Sequence, residues 1–184
     1  RLESSRLPNK PLADINGEPM IVHVFNRARE ANIANVIVAA GNIEIKEAIE
    51  NVGGEAILTN PDHASGSDRI HEALSIYDKD SSYDNVINLQ GDLPNINKDA
   101  LTKIITLLDS ANSDISTLGV KISSDQEILN PNIVKAYVRN LSDNNIIDDF
   151  DRIFDLSKKD FLYHHIGIYG YKRNALESFI GFNQ

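Results

Sequence analysis

The chain has 184 residues, of which 41% are hydrophobic, and it carries a formal net charge of −9 with a pI near 4.9. This size predicts one globular domain, and the acidic balance argues against nonspecific nucleic-acid binding, which needs a basic surface. The sequence has no cysteine, which excludes a disulfide framework or thiolate metal site and suits a reducing cytoplasm. It shows no signal-peptide pattern and no apolar run long enough to cross a bilayer, so we expect a cytoplasmic protein without a membrane partner.

Helical periods and short apolar runs alternate along the whole chain. The predicted helices are 19–31, 43–52, 67–77, 99–108 and a last one that begins at 174. The predicted strands are 36–40, 55–59, 85–89, 114–122, 133–139 and 167–171. Alternating strands and helices of these lengths predict an α/β fold, a three-layer α/β/α arrangement with a mainly parallel sheet. No repeat, linker or low-complexity tract divides the chain, so one domain is expected.

The opening segment, residues 1–12, holds the cations Arg1, Arg6 and Lys10 against a single acid, Glu3. Its two prolines exclude an uninterrupted helix, so the segment is a loop with separated positive charges and hydroxyl groups. Such a loop is typical of a polyphosphate site. A frayed basic terminus is the alternative, but the amphipathic helix that follows directly favours a site within a folded core.

Two further segments, 60–69 and 90–94, follow predicted strands, and ligands of open α/β sheets bind beyond the carboxyl ends of the strands. Asp92 comes after a strand and a glycine. A lone carboxylate there is a natural ligand for Mg²⁺ together with phosphates and water, and a turn or capping aspartate is the alternative. In the segment 60–69, small residues present backbone N–H groups at the start of a predicted helix, and Ser65 or Ser67 is expected to cap that helix.

Several segments in this order resemble the signature segments of the sugar-acid cytidylyltransferases, most nearly those that act on 3-deoxy-manno-octulosonate (Kdo). They are residues 1–12, 62–69, 88–94, 130–135 and 165–171. Together they cover nearly the whole chain, and their order is more specific than any one of them. The resemblance implies a fold like the nucleotide-diphospho-sugar transferases, transfer of a cytidylyl group from CTP to Kdo for lipopolysaccharide biosynthesis, Mg²⁺ as cofactor, and a homodimer.

The resemblance also assigns residues. Arg6, Lys10 and Asp92 are the implied catalytic residues, Asp92 as the magnesium ligand, and Arg1 and Ser4 are implied CTP contacts. Further implied contacts are Ser65, Gly66 and Arg69 for the nucleotide, and Gln90, His165 and Tyr169 for the sugar acid. A lone histidine is more often structural, and only the resemblance favours His165; the other histidines have no metal-ligand spacing and are interpreted as structural.

The sequence departs from the family pattern in a few places. Leu93 stands where the family usually has an acid, and no segment between 145 and 155 matches the family's arginine-containing segment. The family's first strand, late acidic metal ligand and C-terminal helix have no counterpart, so residues 1–184 are expected to be one domain that lacks these parts. A related enzyme for sialic acid or another sugar acid, or a non-catalytic nucleotide-binding module, remains an alternative. Residues 165–171 favour Kdo.

Overall fold

The structure is a computed structural model that describes residues 9–110, 113–141, 144–153 and 162–181. Within these ranges the α-helices are α1 Met20–Ala31, α2 Ile43–Glu50, α3 Gly66–Tyr77, α4 Lys98–Ser110, α5 Asp125–Leu129 and α6 Arg173–Gly181. The strands are β1 Asp14–Ile15, β2 Glu18–Pro19, β3 Ile37–Ala40, β4 Glu55–Leu58, β5 Asn85–Leu89, β6 Ile115–Lys121, β7 Lys135–Leu141, β8 Asn144–Asp151 and β9 Leu162–Lys172. A short 3-10 helix, Lys10–Leu12, precedes β1.

Every helix and strand predicted from the sequence is present, with ends that differ by a few residues. The prediction missed the small β1–β2 hairpin, the short helix α5, the strand β8 and the first half of β9. β8 escaped notice because its acidic residues, Asp148, Asp149 and Asp151, give it little intrinsic strand preference. It forms through antiparallel pairing with β7, from Lys135↔Asp151 to Leu141↔Asn144.

The sheets are mixed. β3 and β4 pair in parallel, whereas β1–β2, β7–β8 and β7–β9 are antiparallel. The larger sheet has the order β5-β9-β7-β8, and β6 also pairs with β9. The α/β class is therefore confirmed with a mixed sheet. A mainly parallel sheet in three layers stays a prediction.

The described residues of Arg1–Ser116 and Tyr169–Gln184 form one compact unit, and those of Thr117–Ile168 form a second. In the larger unit, α1 is amphipathic and packs its apolar face on α2 and β3. This core cluster consists of Ile21, Val22, Phe25, Ala40, Ile45, Ile49 and Ala56. The predicted apolar stripe of α4 is buried at Leu101, Ile104 and Leu108. None of the helices in the described ranges has the length and apolar composition that a membrane crossing requires.

The smaller unit is built around an unusual core residue, Lys135, which is completely buried. Its ammonium donates to the carbonyl oxygens of Asn130 at 2.7 Å and Arg152 at 2.8 Å. Burial lowers the pKa of Lys135, an effect that the nearby Asp151 carboxylate opposes. The apolar side chains of this core are Ile122, Ile128, Tyr137 and Leu162.

A buried ion pair joins the end of α3 to the start of α6 in the larger unit. Arg173 Nη2 donates to Asp78 Oδ2 at 2.9 Å, and the same carboxylate accepts from the backbone N–H groups of Ser82 at 2.9 Å and Tyr83 at 3.1 Å. Burial by itself would raise the pKa of Asp78, but these hydrogen bonds and the Arg173 charge outweigh it and hold the pKa below its ordinary value of 3.8. The ionised form is therefore favoured by folding.

We expect Asp78→Asn to destabilise the protein at neutral pH and to matter less in acid. A carboxyl whose pKa is lower in the folded state stabilises the fold above its unfolded pKa, and this contribution is lost as the pH falls through the folded value. The difference in free energy of unfolding between wild type and variant, measured by urea denaturation, should shrink as the pH drops below 3.8. A difference that does not change with pH would contradict this account.

Candidate active site

Lys10 and Asp92, which are 82 positions apart in sequence, form an ion pair in the larger unit. Lys10 Nζ donates to Asp92 Oδ2 at 2.6 Å. The side chains are 38% and 42% exposed, and ion pairs this exposed contribute about 0–1 kcal/mol to stability. A ligand can therefore separate the two groups at little cost, which leaves a cation for phosphate and a carboxylate for a metal.

Each partner is placed by local structure. Lys10 begins the 3-10 helix, where Leu12 N donates to Asn9 O at 2.8 Å and Leu12 packs on the core of α1. Asp92 lies in the turn after β5, next to Gly91. A Cβ on Gly91 would lie 2.8 Å from Ile21 Cδ1, so a larger residue in this turn would displace the end of the Ile21 side chain on α1.

The surroundings of Asp92 fit a metal ion held by one protein carboxylate. A turn or capping aspartate would accept a hydrogen bond from a backbone N–H. Within the described residues, the Asp92 carboxylate instead contacts the Lys10 ammonium. The ammonium shows that a cation suits the position. No cluster of three or more acidic or histidine side chains that could hold a metal occurs in the same described ranges. Mg²⁺ accepts one carboxylate with substrate phosphates and water, which agrees with this donor set.

Ser65 caps α3, as predicted. Its hydroxyl accepts from Asp68 N at 3.1 Å, and Asp68 Oδ2 in return accepts from Ser65 N at 2.8 Å, which makes a capping box. The hydrogen bond from the Ser65 hydroxyl is the main cause that lowers the pKa of Asp68, and the hydrogen bond from the Ser65 backbone N–H acts in the same direction. Burial of Asp68 opposes both. The box fixes the start of α3, which follows the loop after β4.

Arg69 has a structural task that the sequence did not reveal. It is 7% exposed, and its guanidinium donates to Thr59 Oγ1 at 2.7 Å, Asn60 O at 3.0 Å and Pro61 O at 3.1 Å. A Cβ on Gly41 would lie 2.6 Å from Arg69 Nη1, so the guanidinium also fills the space beside the end of β3. Arg69 thus positions the loop after β4, while its predicted nucleotide contact stays a prediction.

The remaining predicted contacts of the larger unit lie on α3, β5 and β9. Gly66 is the first residue of α3, and Gln90 is exposed directly after β5. Tyr169 on β9 is partly buried and stacks on Tyr171 with ring centroids 6.0 Å apart, and its burial raises the pKa of its phenol. The predicted residues Arg1, Ser4 and Arg6 lie outside the described residues.

His165 belongs to the smaller unit, where its ring contacts two residues that the sequence did not single out. Its Nε2 lies 3.0 Å from Thr117 Oγ1, and that hydroxyl donates its single proton to Ile168 O at 2.6 Å. The hydroxyl must therefore accept from Nε2–H, which fixes the neutral tautomer. Phe150 packs edge-on with centroids 4.9 Å apart. Burial, and then the neighbouring His164, lower the pKa of His165, so it is neutral at neutral pH.

Known proteins that are similar in sequence agree in name. The family model described as "Cytidylyltransferase" matches residues 1–183. A 3-deoxy-manno-octulosonate cytidylyltransferase of Brucella ovis is 46% identical over 182 residues, which cover 98% of this chain and 72% of the relative. The protein of the same name from Brucella anthropi is also 46% identical, with 98% of this chain and 73% of that relative covered.

Two solved structures are similar in fold. A CMP:2-keto-3-deoxy-manno-octonic acid synthetase complexed with CTP has a TM-score of 0.82 and 35% identity, covering 98% of this chain and 74% of its own. A 4-diphosphocytidyl-2C-methyl-D-erythritol synthase from Anaerococcus prevotii has a TM-score of 0.59 and 14% identity, covering 91% of this chain and 67% of its own, a likeness of fold alone. The α/β fold is that of the nucleotidyltransferases. More narrowly, the chain belongs to the cytidylyltransferase family.

We expect Ser65→Ala to lower the free energy of unfolding by about 1 kcal/mol, because the first turn of α3 loses its side-chain cap. Ser65→Thr is the matched control, since threonine keeps a hydroxyl that can accept from Asp68 N and donate to Asp68 Oδ2. Both variants would be compared with wild type by urea denaturation. Equal stability of the alanine and threonine variants would show that the capping box contributes nothing.

Proposed function

We propose that the protein transfers a cytidylyl group from CTP to 3-deoxy-D-manno-octulosonate, giving CMP-Kdo and pyrophosphate for lipopolysaccharide biosynthesis. The observation that carries this proposal is the exposed Lys10–Asp92 pair at the carboxyl end of β5. It supplies a phosphate-binding cation beside a metal-binding carboxylate, in a chain that is 46% identical to proteins named for this activity.

In the proposed reaction a hydroxyl of the sugar acid attacks the α-phosphorus of CTP in line. A bond forms between that oxygen and the phosphorus, the bond from the α-phosphorus to the bridging oxygen breaks, and pyrophosphate leaves with the electron pair. Lys10, with Arg1 and Arg6, holds the triphosphate and offsets the charge that develops on pyrophosphate. Mg²⁺, when bound by Asp92, supplies further charge neutralisation and lowers the pKa of the attacking hydroxyl. The proton of that hydroxyl passes to solvent.

The family resemblance proposes Gln90 and Tyr169 of the larger unit as sugar-acid contacts, and it separately proposes His165 of the smaller unit as one. Because His165 is neutral and donates through Nε2 to Thr117, the Thr117 hydroxyl fixes its ring orientation. The other ring nitrogen, Nδ1, then carries no proton and can accept a hydrogen bond from a sugar hydroxyl without adding a fixed charge. The nucleotide is proposed to contact Ser65, Gly66 and Arg69, and Arg69 also positions the loop after β4.

The same proposal includes three features that rest on the sequence. They are a single domain, a three-layer arrangement with a mainly parallel sheet, and a cytoplasmic location. A homodimer is proposed as well. It is supported by large apolar side chains exposed on the smaller unit, among them Leu129 at 73% and Ile153 at 78%, and by β8 lying at the edge of its sheet.

Pyrophosphate release tests the proposal. The protein would be assayed with CTP, UTP, ATP and GTP against Kdo, sialic acid and no sugar, in the presence of Mg²⁺. We expect turnover with CTP and Kdo. Turnover with sialic acid alone would show that the sugar assignment is wrong. Binding of CTP without turnover on any sugar acid would show a nucleotide-binding module instead of an enzyme.

Asp92→Asn should fold with nearly wild-type stability and lose turnover on the order of a hundredfold or more at ordinary magnesium, because the variant keeps the turn but loses the metal-binding charge. The measurement is turnover against Mg²⁺ and Mn²⁺ concentration, with melting curves for each protein. Asp80→Asn is the matched control, an exposed aspartate in the loop before β5.

The partner of Asp92 sharpens this test. Lys10→Ala should also lower turnover, while the double variant should cost less than the sum of the two losses, because both residues act on the same phosphates and metal. Wild-type turnover and metal dependence in Asp92→Asn would show that Asp92 is only a turn residue.

A further inference from the structure

Glu72 lies one turn after Arg69 on α3, and side chains at this spacing are neighbours on the helix surface. The Glu72 Oε2 atom accepts hydrogen bonds from Asn60 N at 2.9 Å and from His63 Nε2. Both donors belong to the loop after β4. The side chains of His63 and Glu72 are only 21% and 33% exposed, so solvent reaches their contact from one side. One carboxylate oxygen therefore ties a backbone group and a side chain of this loop to the helix.

The carboxylate of Glu72 is ionised at neutral pH. The hydrogen bond from His63 is the main cause that lowers the pKa of Glu72 below its ordinary value of 4.5, and the hydrogen bond from Asn60 N acts in the same direction. Burial of Glu72 opposes both. Hydrogen bonds to an ionised acceptor are stronger than those to a neutral one, so both contacts with the loop are favoured.

His63 holds the middle of the loop, which has few other contacts. The start of the loop is held by Arg69 through the carbonyl oxygens of residues 60 and 61, and its end is held by the capping box of α3. Between these two points, in the described part of the chain, only His63 makes a side-chain hydrogen bond to α3. Its neighbours Asp62 and Ala64 are exposed. Without the His63 contact, positions 62–64 would be fixed only at their two ends.

We propose that His63 and Glu72 are positioning residues that hold the loop after β4 in the conformation that binds the nucleotide; this rests on the proposed function, in which the start of α3 contacts CTP. A loop that is ordered before binding loses less conformational entropy when its ligand arrives, so the ligand binds more tightly. The pair therefore acts on the affinity for CTP. It does not act on the transfer step, for which the proposed residues Lys10 and Asp92 lie on other elements.

Calorimetric titration with CTP and Mg²⁺, without a sugar acid, tests this inference. We expect His63→Ala to raise the Kd for CTP about tenfold, with the number of binding sites per chain unchanged. His63→Gln should stay within about threefold of wild type, because its amide can still donate to Glu72. His71→Ala is the matched control and should bind like wild type, since the His71 ring on α3 has no hydrogen-bond partner among the described residues.

Variants of Glu72 test the other side of the contact. Glu72→Ala should weaken CTP binding at least as much as His63→Ala, because it also frees Asn60 N. Adding His63→Ala to Glu72→Ala should cost little more, because both substitutions remove the same contact. In pyrophosphate-release assays, KM for CTP should rise in all three variants, while kcat at saturating CTP and KM for Kdo stay at their wild-type values.

Melting curves would identify any variant that does not fold. If His63→Ala is one, His63→Asn takes its place, since its amide is one methylene shorter than that of glutamine and places no donor where Nε2 lies. Unchanged CTP affinity in the alanine variants, an equal loss in His63→Gln, or a lower kcat at unchanged affinity would overturn the inference. So would fewer binding sites at wild-type affinity, which is the result of a role in stability alone. If wild type itself does not bind CTP, the proposed function is wrong, and the inference is overturned with it.

Discussion

The arrangement of the larger unit around its candidate site depends on the buried guanidinium of Arg69. This side chain leaves α3, passes beside Gly41 at the end of β3, and donates to three oxygens between Thr59 and Pro61 at the end of β4. A buried cation is tolerated only where its donors are satisfied, and a planar guanidinium can satisfy several carbonyls at once. The carboxyl ends of two strands and the start of a helix are therefore held by one residue. Lysine could not replace it.

Lys10 contacts this frame through a much weaker interaction. The Lys10–Asp92 pair is exposed and adds little stability, whereas Leu12 holds residues 9–12 in place by packing on the core. This division is suited to a binding site. The backbone near Lys10 is held by apolar contacts of Leu12. The side chains of Lys10 and Asp92 can therefore separate and bind ligands without disturbing it.

In the smaller unit, by contrast, a charged side chain lies inside the core. Lys135 is fully buried and gives its hydrogen bonds to the carbonyls of Asn130 and Arg152, which ties the turn before β7 to the segment after β8. A charge in this position depends on those two carbonyls, since leaving a buried cation unpaired is costly. The same unit fixes His165 through Thr117, so its polar groups are oriented by partners within the unit.

The sequence by itself determined the helices, most strands and the cap at Ser65, because periodicity and capping depend on neighbours in the chain. It also singled out Lys10 and Asp92, which the structure pairs. The family resemblance added the roles. The tertiary structure decided the antiparallel strand β8, the inward course of Arg69 and the partner of His165. These depend on groups far apart in sequence, such as Lys10 and Asp92 at 82 positions or Thr117 and His165 at 48. No local pattern encodes which distant groups meet, because burial and pairing are set only when the whole core packs.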